Sequence, residues 1–517
     1  MKRNLLFITA LFVCVLSFGQ GEMDAYRYAS SDVSGTARGQ AMGGAFGALG
    51  GDVTGVAINP AGIGVYRSSE IVANMSLTSP LINGNTNRES NSVFHFDNLS
   101  YVGYYPLVRG SMLSLNFGFN YSRIKSFEQQ YSASRPKMNA SLTDYMAYLT
   151  GAKGINQSTW DLGNTDSWYA NSNIPWLSVL AWDGYLINPG KQNNTYVSIL
   201  DEGEQVSPSL KVSEKGKVES YDFTLGSNVA NVFYWGATVS ITELSYSMSS
   251  SYKENFLGVP GSGFDLQNYL ETKGSGIQVK AGVIFRPTDV LRLGAAYHSP
   301  VWYTMTDYYW ASLNPSGIYN DNGDKVGTTE TPDASSSYYF RTPGSWTLSA
   351  AIVLSAQSIL SLDYEMKNYS SMNLKDNNGY DWKDVNSIMN EDYKNTSTVR
   401  AGLEFRFTPQ LSGRVGYAWA QNPYRSDMDI KSLGKIVVPA GTIPHYTLSG
   451  DAKYLTAGLG FRFTPQFYGD IALVYRSQND DLYYFPPYIG NTILADSFQG
   501  TYTNKTLKGL LTLGYRF

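Results

Sequence analysis

The residues able to do chemistry in this chain are few, and their spacing works against them. A Ser–His hydrolytic pair needs both side chains on one face, yet His298 and Ser299 are consecutive and on a strand would point to opposite faces. His95 and Asp97 do share a face, which suits a base and its orienter, but no nucleophile accompanies them. Around Asn320-Asp321-Asn322-Gly323-Asp324 the glycine lacks the preceding acid spacing of a calcium loop. No G-x-G-x-x-G stands between a strand and a helix, which sets dinucleotide binding aside. With 3 His and 1 Cys, a zinc site or a disulfide framework is improbable, and His95, His298 and His445 show no shared haem-ligand arrangement. The expectation is no enzyme, no metal and no cofactor.

What the chain is rich in is strand-forming side chains. Its 517 residues include 40 Tyr, 23 Phe, 10 Trp and 50 Gly. Only 16% are charged, against roughly 25% in typical soluble domains. The net charge of −4 carries no basic footprint for nucleic acid.

Met1 to Asn4 form a short basic start, and Leu5 to Phe18 is an apolar run too short to span a bilayer comfortably. This predicts a leader over 1–20, cleaved near Gln20, and an exported protein. A lipoprotein reading with Cys14 acylated is disfavoured because Val13 stands where a small residue is needed. Further on there is no run of 18 or more apolar residues, so only a closed barrel could cross a membrane.

Alternation fits such a barrel, although periodicity alone fits equally a soluble sandwich whose apolar face meets a second sheet. Leu113, Leu115, Phe117, Phe119 and Tyr121 interleave with Ser114, Asn116, Gly118 and Asn120, and the same pattern recurs at Ile277, Val279, Ala281, Val283 and Phe285. The phrases AGVIFRPTD, AGLEFRFTPQ and AGLGFRFTPQ each run through a tight, proline-bearing turn into another strand-like segment. Long polar and aromatic stretches near 127–215, 249–274, 306–335, 373–395 and 425–451 read as loops at the other end. Segments from Ser69 onward number about fourteen, an even count as bacterial single-chain barrels require. The expectation is an all-β transmembrane antiparallel barrel over 69–517, its largest loop at 127–215.

Residues 21–68 lack alternation. Their glycine-rich run, GTARGQAMGGAFGALGGDVTGVAINPAGIGVY, suits small helices and turns compact enough to sit within a barrel. Asn59-Pro60 favours a turn, and Pro60 has no backbone N–H to donate.

Arg38, Gly43-Gly44-Ala45-Phe46, Asp52 and Asn59-Pro60-Ala61-Gly62-Ile63 together resemble the N-terminal hatch of the FadL/TodX outer-membrane transporters. Ala281 to Val301, Thr342 to Ser349 and Trp419 to Tyr424 resemble later barrel segments of the same family, while 127–215 matches none. The resemblance implies a monomeric barrel of fourteen strands in the outer membrane of a Gram-negative bacterium, plugged by 21–68. It implies passive transport of hydrophobic small molecules, long-chain fatty acids or aromatic hydrocarbons, with sideways exit through a kinked third strand near Asn59, Pro60, Ala61 and Gly62.

On that footing Arg38 and Lys280 are candidates to neutralise a carboxylate head, with Phe46 beside them in the hatch. Trp160, Trp168, Trp176 and Trp182 are candidates for an apolar reception groove, or for packing of their own loop. Ser141 to Leu149 reads as a short helix with a Ser cap. The terminal Phe517 resembles the signal read by outer-membrane assembly machinery. The competing reading is a structural, adhesive or assembly-related barrel with no transport role.

Overall fold

The computed structural model describes residues 21–81, 87–88, 92–108, 110–161, 165–425, 438–489, 494–495 and 497–517. The predicted leader, with Cys14 and Gln20, lies outside the described residues.

Fourteen antiparallel strands pair in chain order and close on themselves. They are β1 (Glu70–Leu81), β2 (Val93–Pro106), β3 (Met112–Ser126), β4 (Val206–Val229), β5 (Phe233–Phe256), β6 (Gly263–Phe285) and β7 (Leu291–His298, resuming at Trp302–Ser316). The circuit continues through β8 (Ala334–Arg341, resuming at Ser345–Ser355), β9 (Ser358–Asn368), β10 (Asn395–Arg406), β11 (Leu411–Ala420), β12 (Tyr446–Arg462), β13 (Phe467–Tyr483) and β14 (Phe498–Arg516). Closure is the β1–β14 ladder, running from Glu70–Arg516 to Leu81–Lys505. A closed sheet leaves no unpaired edge, which is the condition for strands to cross a bilayer.

Tight turns join the strands at one end; at the other, loops carry the helices α4 (Leu142–Ala152), α5 (Thr165–Tyr169), α6 (Trp176–Asp183) and α7 (Lys383–Asp392), the first three in the β3–β4 connection and α7 between β9 and β10. Tyr105, Phe233, Phe285, Phe407 and Phe463 stand exposed at the turn end, where an aromatic girdle belongs. The N-terminal segment forms α1 (Glu22–Ala29), α2 (Ala37–Ala41), α3 (Val53–Ile58) and a 3-10 turn (Pro60–Val65), and it packs against the inner faces of the strands.

One difference from the sequence reading concerns the loops. Residues 206–215, 249–256, 263–274 and 306–316 belong to β4 to β7 rather than to loops. Their alternation continues but its phase inverts. On β5, Phe233, Val239 and Ile241 face outward over buried Thr238, Ser240 and Thr242; from Glu243 onward Ser249 and Lys253 face outward over buried Leu244, Tyr246, Met248 and Tyr252. β6 repeats the switch, with Val279 and Ile277 outward below and Lys273 and Gln267 outward above. The outward apolar stretch Phe233–Ile241 matches the about 9–11 residues a spanning strand needs. Beyond it the outer face meets water, so the apolar side chains turn inward onto α4 and α6 and form a separate core. A search for outward-facing apolar residues stops at that switch, which is why these lengths read as loop.

Candidate functional site

The hatch is held by backbone groups meeting wall side chains. Thr36 caps α2 and Asp52 caps α3, and Thr36 Oγ1 donates to Asp52 at 2.9 Å, tying the two helix starts together. The Ala37 N–H donates to Thr512 Oγ1 at 2.7 Å, and those of Phe46 and Gly47 donate to Asp363 at 2.9 and 3.0 Å. Gly416 lets the hatch approach this closely, since a Cβ there would lie 2.2 Å from the Gly43 nitrogen.

Asn59 is buried and fully engaged. Its Nδ2 donates to the Gly47 carbonyl at 2.8 Å and to the Val283 carbonyl on β6 at 3.1 Å, and its Oδ1 accepts from the Ala61 N–H at 3.1 Å. Gly282 provides the space, as a Cβ there would lie 2.0 Å from that Oδ1. Pro60 and Ala61 press on Gly236 of β5, and Ala61 and Gly62 are buried. The β4–β5 and β5–β6 ladders run unshifted past this segment. The wall beside Asn59, Pro60, Ala61 and Gly62 is therefore continuous.

Above the hatch lies a chamber of about 490 Å³, lined by α1 and by the strands on either side of the closure. Its charges are mostly matched. Lys508 pairs with Asp97 at 3.1 Å, Arg476 with Asp32 at 3.5 Å, and Glu365 takes both Arg400 and Lys367. Burial alone would raise the Asp32 carboxyl, but Arg476, Lys125 and the Tyr454 hydroxyl outweigh it and hold that group below the usual carboxylate range. Tyr26 faces Tyr369, Tyr393 and Tyr424 at ring separations of 5.1, 6.0 and 6.0 Å, so hydroxyls and rings alternate with the ion pairs.

The chamber reaches a break in the wall. Among the described residues the β2–β3 ladder ends at Asn98–Ser122, and pairing resumes only at Arg88–Tyr131, where a short strand, Gln129–Ser134, prolongs β3. Both strands bend at that level: the β1–β2 register shifts opposite Asp97, and the β3–β4 register shifts at Ile124. The result is a window whose β2 lip carries Val93, His95 and Asp97 and whose β3 lip carries Arg123, Ile124 and Lys125, all lining the chamber. Phe94 and Phe96 stand exposed on the outer side of the β2 lip.

The sequence profile of the family described as Outer membrane protein transport protein (OMPP1/FadL/TodX) matches residues 23–517. The chain belongs to this family. Membership makes it an outer-membrane transport barrel of the Gram-negative type. Among solved structures, a Pseudomonas aeruginosa FadL homologue aligns at 14% identity and TM-score 0.52, covering 94% of this chain and 99% of that one. The Ralstonia pickettii toluene transporter TbuX aligns at 15% identity and TM-score 0.49, covering 94% and 99%. The first of these likenesses supports the fold. No curated protein matches the sequence.

Within this FadL/TodX-family barrel, the remaining candidate residues separate into two groups. Arg38 makes a two-pronged pair with Glu404 at 2.9 and 3.0 Å and lies over the Phe46 ring, and Lys280 meets Asp222 at 3.3 and 3.4 Å. Both cations are engaged by carboxylates, Arg38's partner standing on β10 and that of Lys280 on β4. Trp160 stacks on Trp182 at 5.0 Å and meets Trp168 edge-on at 5.1 Å, while Trp176 packs on Tyr309 at 5.5 Å. These four hold the β3–β4 connection to the outer core; α4 sits among them with Ser141 and Asp144 forming a capping box.

His298 Nε2 donates to the Ile58 carbonyl at 2.9 Å, and Asn320 Oδ1 closes a plain turn on the N–H groups of Asn322 and Asp324. Arg123 was not singled out by sequence. The signal was there: it follows Tyr121 on the outward face of β3, the first charge after an unbroken apolar run.

Proposed function

We propose that this barrel passes hydrophobic molecules bearing a polar head, long-chain fatty acids rather than bare aromatic hydrocarbons, from the loop end into the chamber and sideways through the β2–β3 window. The observation that carries the reading is that one chamber touches both lips of a window set where outward residues change from apolar to charged. A carboxylate head fits the polar lining, and an acyl chain fits the Phe94 and Phe96 side. A plain hydrocarbon would have to desolvate matched ion pairs and gain nothing from them. The Asn59, Pro60, Ala61 and Gly62 segment serves as the seal that closes the straight path toward the turn end. Transport needs no covalent step. The protein acts as a monomer, sheds a leader near Gln20, and presents Phe517 to the assembly machinery.

The test compares uptake of a labelled long-chain fatty acid and of toluene by cells with and without the protein. Protein-dependent uptake of the acid, in excess of toluene, is expected. Equal uptake of both compounds with or without the protein overturns the reading.

A further inference from the structure

The window has a bolt. Arg123 leaves β3 at the last level before the Ile124 bulge, and its side chain lies across the break: Nη1 meets His95 Nδ1, and Nη2 reaches the Phe96 carbonyl at 3.5 Å. Its Nε is buried with no hydrogen-bond partner among the described residues. Most cations of the chamber answer a carboxylate, but among the described residues Arg123 forms no ion pair and donates to uncharged atoms of the opposite lip. Lys125, next on the lip, is similarly placed, donating to the Arg27 carbonyl at 2.8 Å and to Ser30 of the hatch segment. Just below, Phe96 and Tyr121 stack across the same two strands at 6.1 Å, and Asn98 reaches the Tyr121 carbonyl at 3.0 Å. These last contacts fix the bottom of the window; the guanidinium spans its opening.

We infer that Arg123 is a latch that holds β2 to β3 through His95 and Phe96, and that a carboxylate in the chamber releases it by offering a better partner. This rests on the transport reading given above. A guanidinium bonded to an imidazole nitrogen and one long carbonyl contact has donors to spare, whereas a carboxylate accepts two parallel N–H bonds and balances the charge. Since a donor at Nη1 requires His95 Nδ1 to be the unprotonated ring nitrogen, the closed state gives the guanidinium a neutral partner, while Glu219, opposite it on β4, and Asp97, on the facing lip, are taken by Lys217 and Lys508. An anionic head entering from the chamber supplies that charge, turns the side chain inward and frees the lip. A neutral molecule of equal length leaves the latch in place. Arg123 is thus a positioning residue that couples the presence of an acid to opening of the wall.

The test uses the full chain in lipid vesicles, expressed with Cys14→Ser in its leader so that an introduced pair, Phe94→Cys and Glu128→Cys, supplies the only thiols. Spin labels on this pair read the distance across the window with no addition, with palmitate and with methyl palmitate. In the otherwise native protein, palmitate is expected to lengthen the distance and methyl palmitate to leave it unchanged. Arg123→Gln is expected to be long without any addition, shifting the open-to-closed ratio by about tenfold, the scale of one hydrogen bond to a charged group, with no further response to palmitate. His95→Ala, which removes the other partner and keeps the charge, is expected to open likewise, and Arg123→Lys to respond to palmitate in part. A distance unchanged in both Arg123→Gln and His95→Ala overturns the latch, as does equal opening by palmitate and its methyl ester. Failure of cellular uptake with a window that opens to palmitate would count against the transport reading and leave the latch standing.

Discussion

Asp363, on the inner face of β9, accepts the backbone N–H of Phe46 at 2.9 Å, and the same carboxylate takes the next N–H in the hatch, that of Gly47. The hatch is thus fixed at mid-length by two main-chain donors that water cannot reach.

Asp363→Ala leaves both donors buried without an acceptor, at about 1–3 kcal/mol each. The expected outcome is a barrel that still assembles while the amides of residues 43–49 exchange faster with solvent. Hydrogen exchange followed by mass spectrometry reads this directly. Exchange equal to that of the unmodified protein would show that the wall glycines alone retain the hatch.

The phase switch on β5 makes opposite predictions for one substitution at two outward positions. Val239 lies in the apolar stretch and Ser249 beyond it, both exposed on the outer face. Val239→Lys is expected to destabilise the folded barrel by about 2–4 kcal/mol in lipid. Ser249→Lys, in water, should stay within about 0.5 kcal/mol. Unfolding by denaturant in lipid vesicles measures both; a like penalty at the two sites would place Ser249 in the bilayer and refute the boundary at Glu243.

His445 precedes β12 and is buried beside the outer core, and its Nδ1 has no hydrogen-bond partner among the described residues. Burial, with Arg27 adding to it, pushes its pKa down to about 3 from 6.5. A histidine depressed in the folded state contributes stability that is fully present above pH 6.5 and is lost as pH falls toward about 3, because the unfolded chain takes the proton first. The outer core is expected to melt at a lower temperature as pH drops through that window, and His445→Phe is expected to flatten the dependence. Thermal melts followed by tryptophan fluorescence, to which Trp160, Trp168, Trp176 and Trp182 contribute, provide the measurement.

Alternation in stretches such as Leu113 to Tyr121 and Ile277 to Phe285, with the tight turns after AGVIF and AGLEF, was enough to mark strands and hairpins, but periodicity alone suits a stacked sandwich as well as a closed barrel. Each side chain there is placed by its immediate neighbours, and the two-residue period is a property of the strand alone. The glycine-rich run before Ser69 likewise announced a segment packed against backbone. What only the tertiary structure decided was which charges are spoken for and where the wall parts. Glu404 lies far along the chain from Arg38, and Asp222 lies two strands from Lys280, so no local pattern reveals that these cations are neutralised. The window arises from two bulges on different strands brought to one height, and Arg123 acquires its partner only when β2 and β3 stand side by side with their ladder interrupted. Local periodicity determines an element; a site made by the meeting of distant residues exists only after the circle has closed.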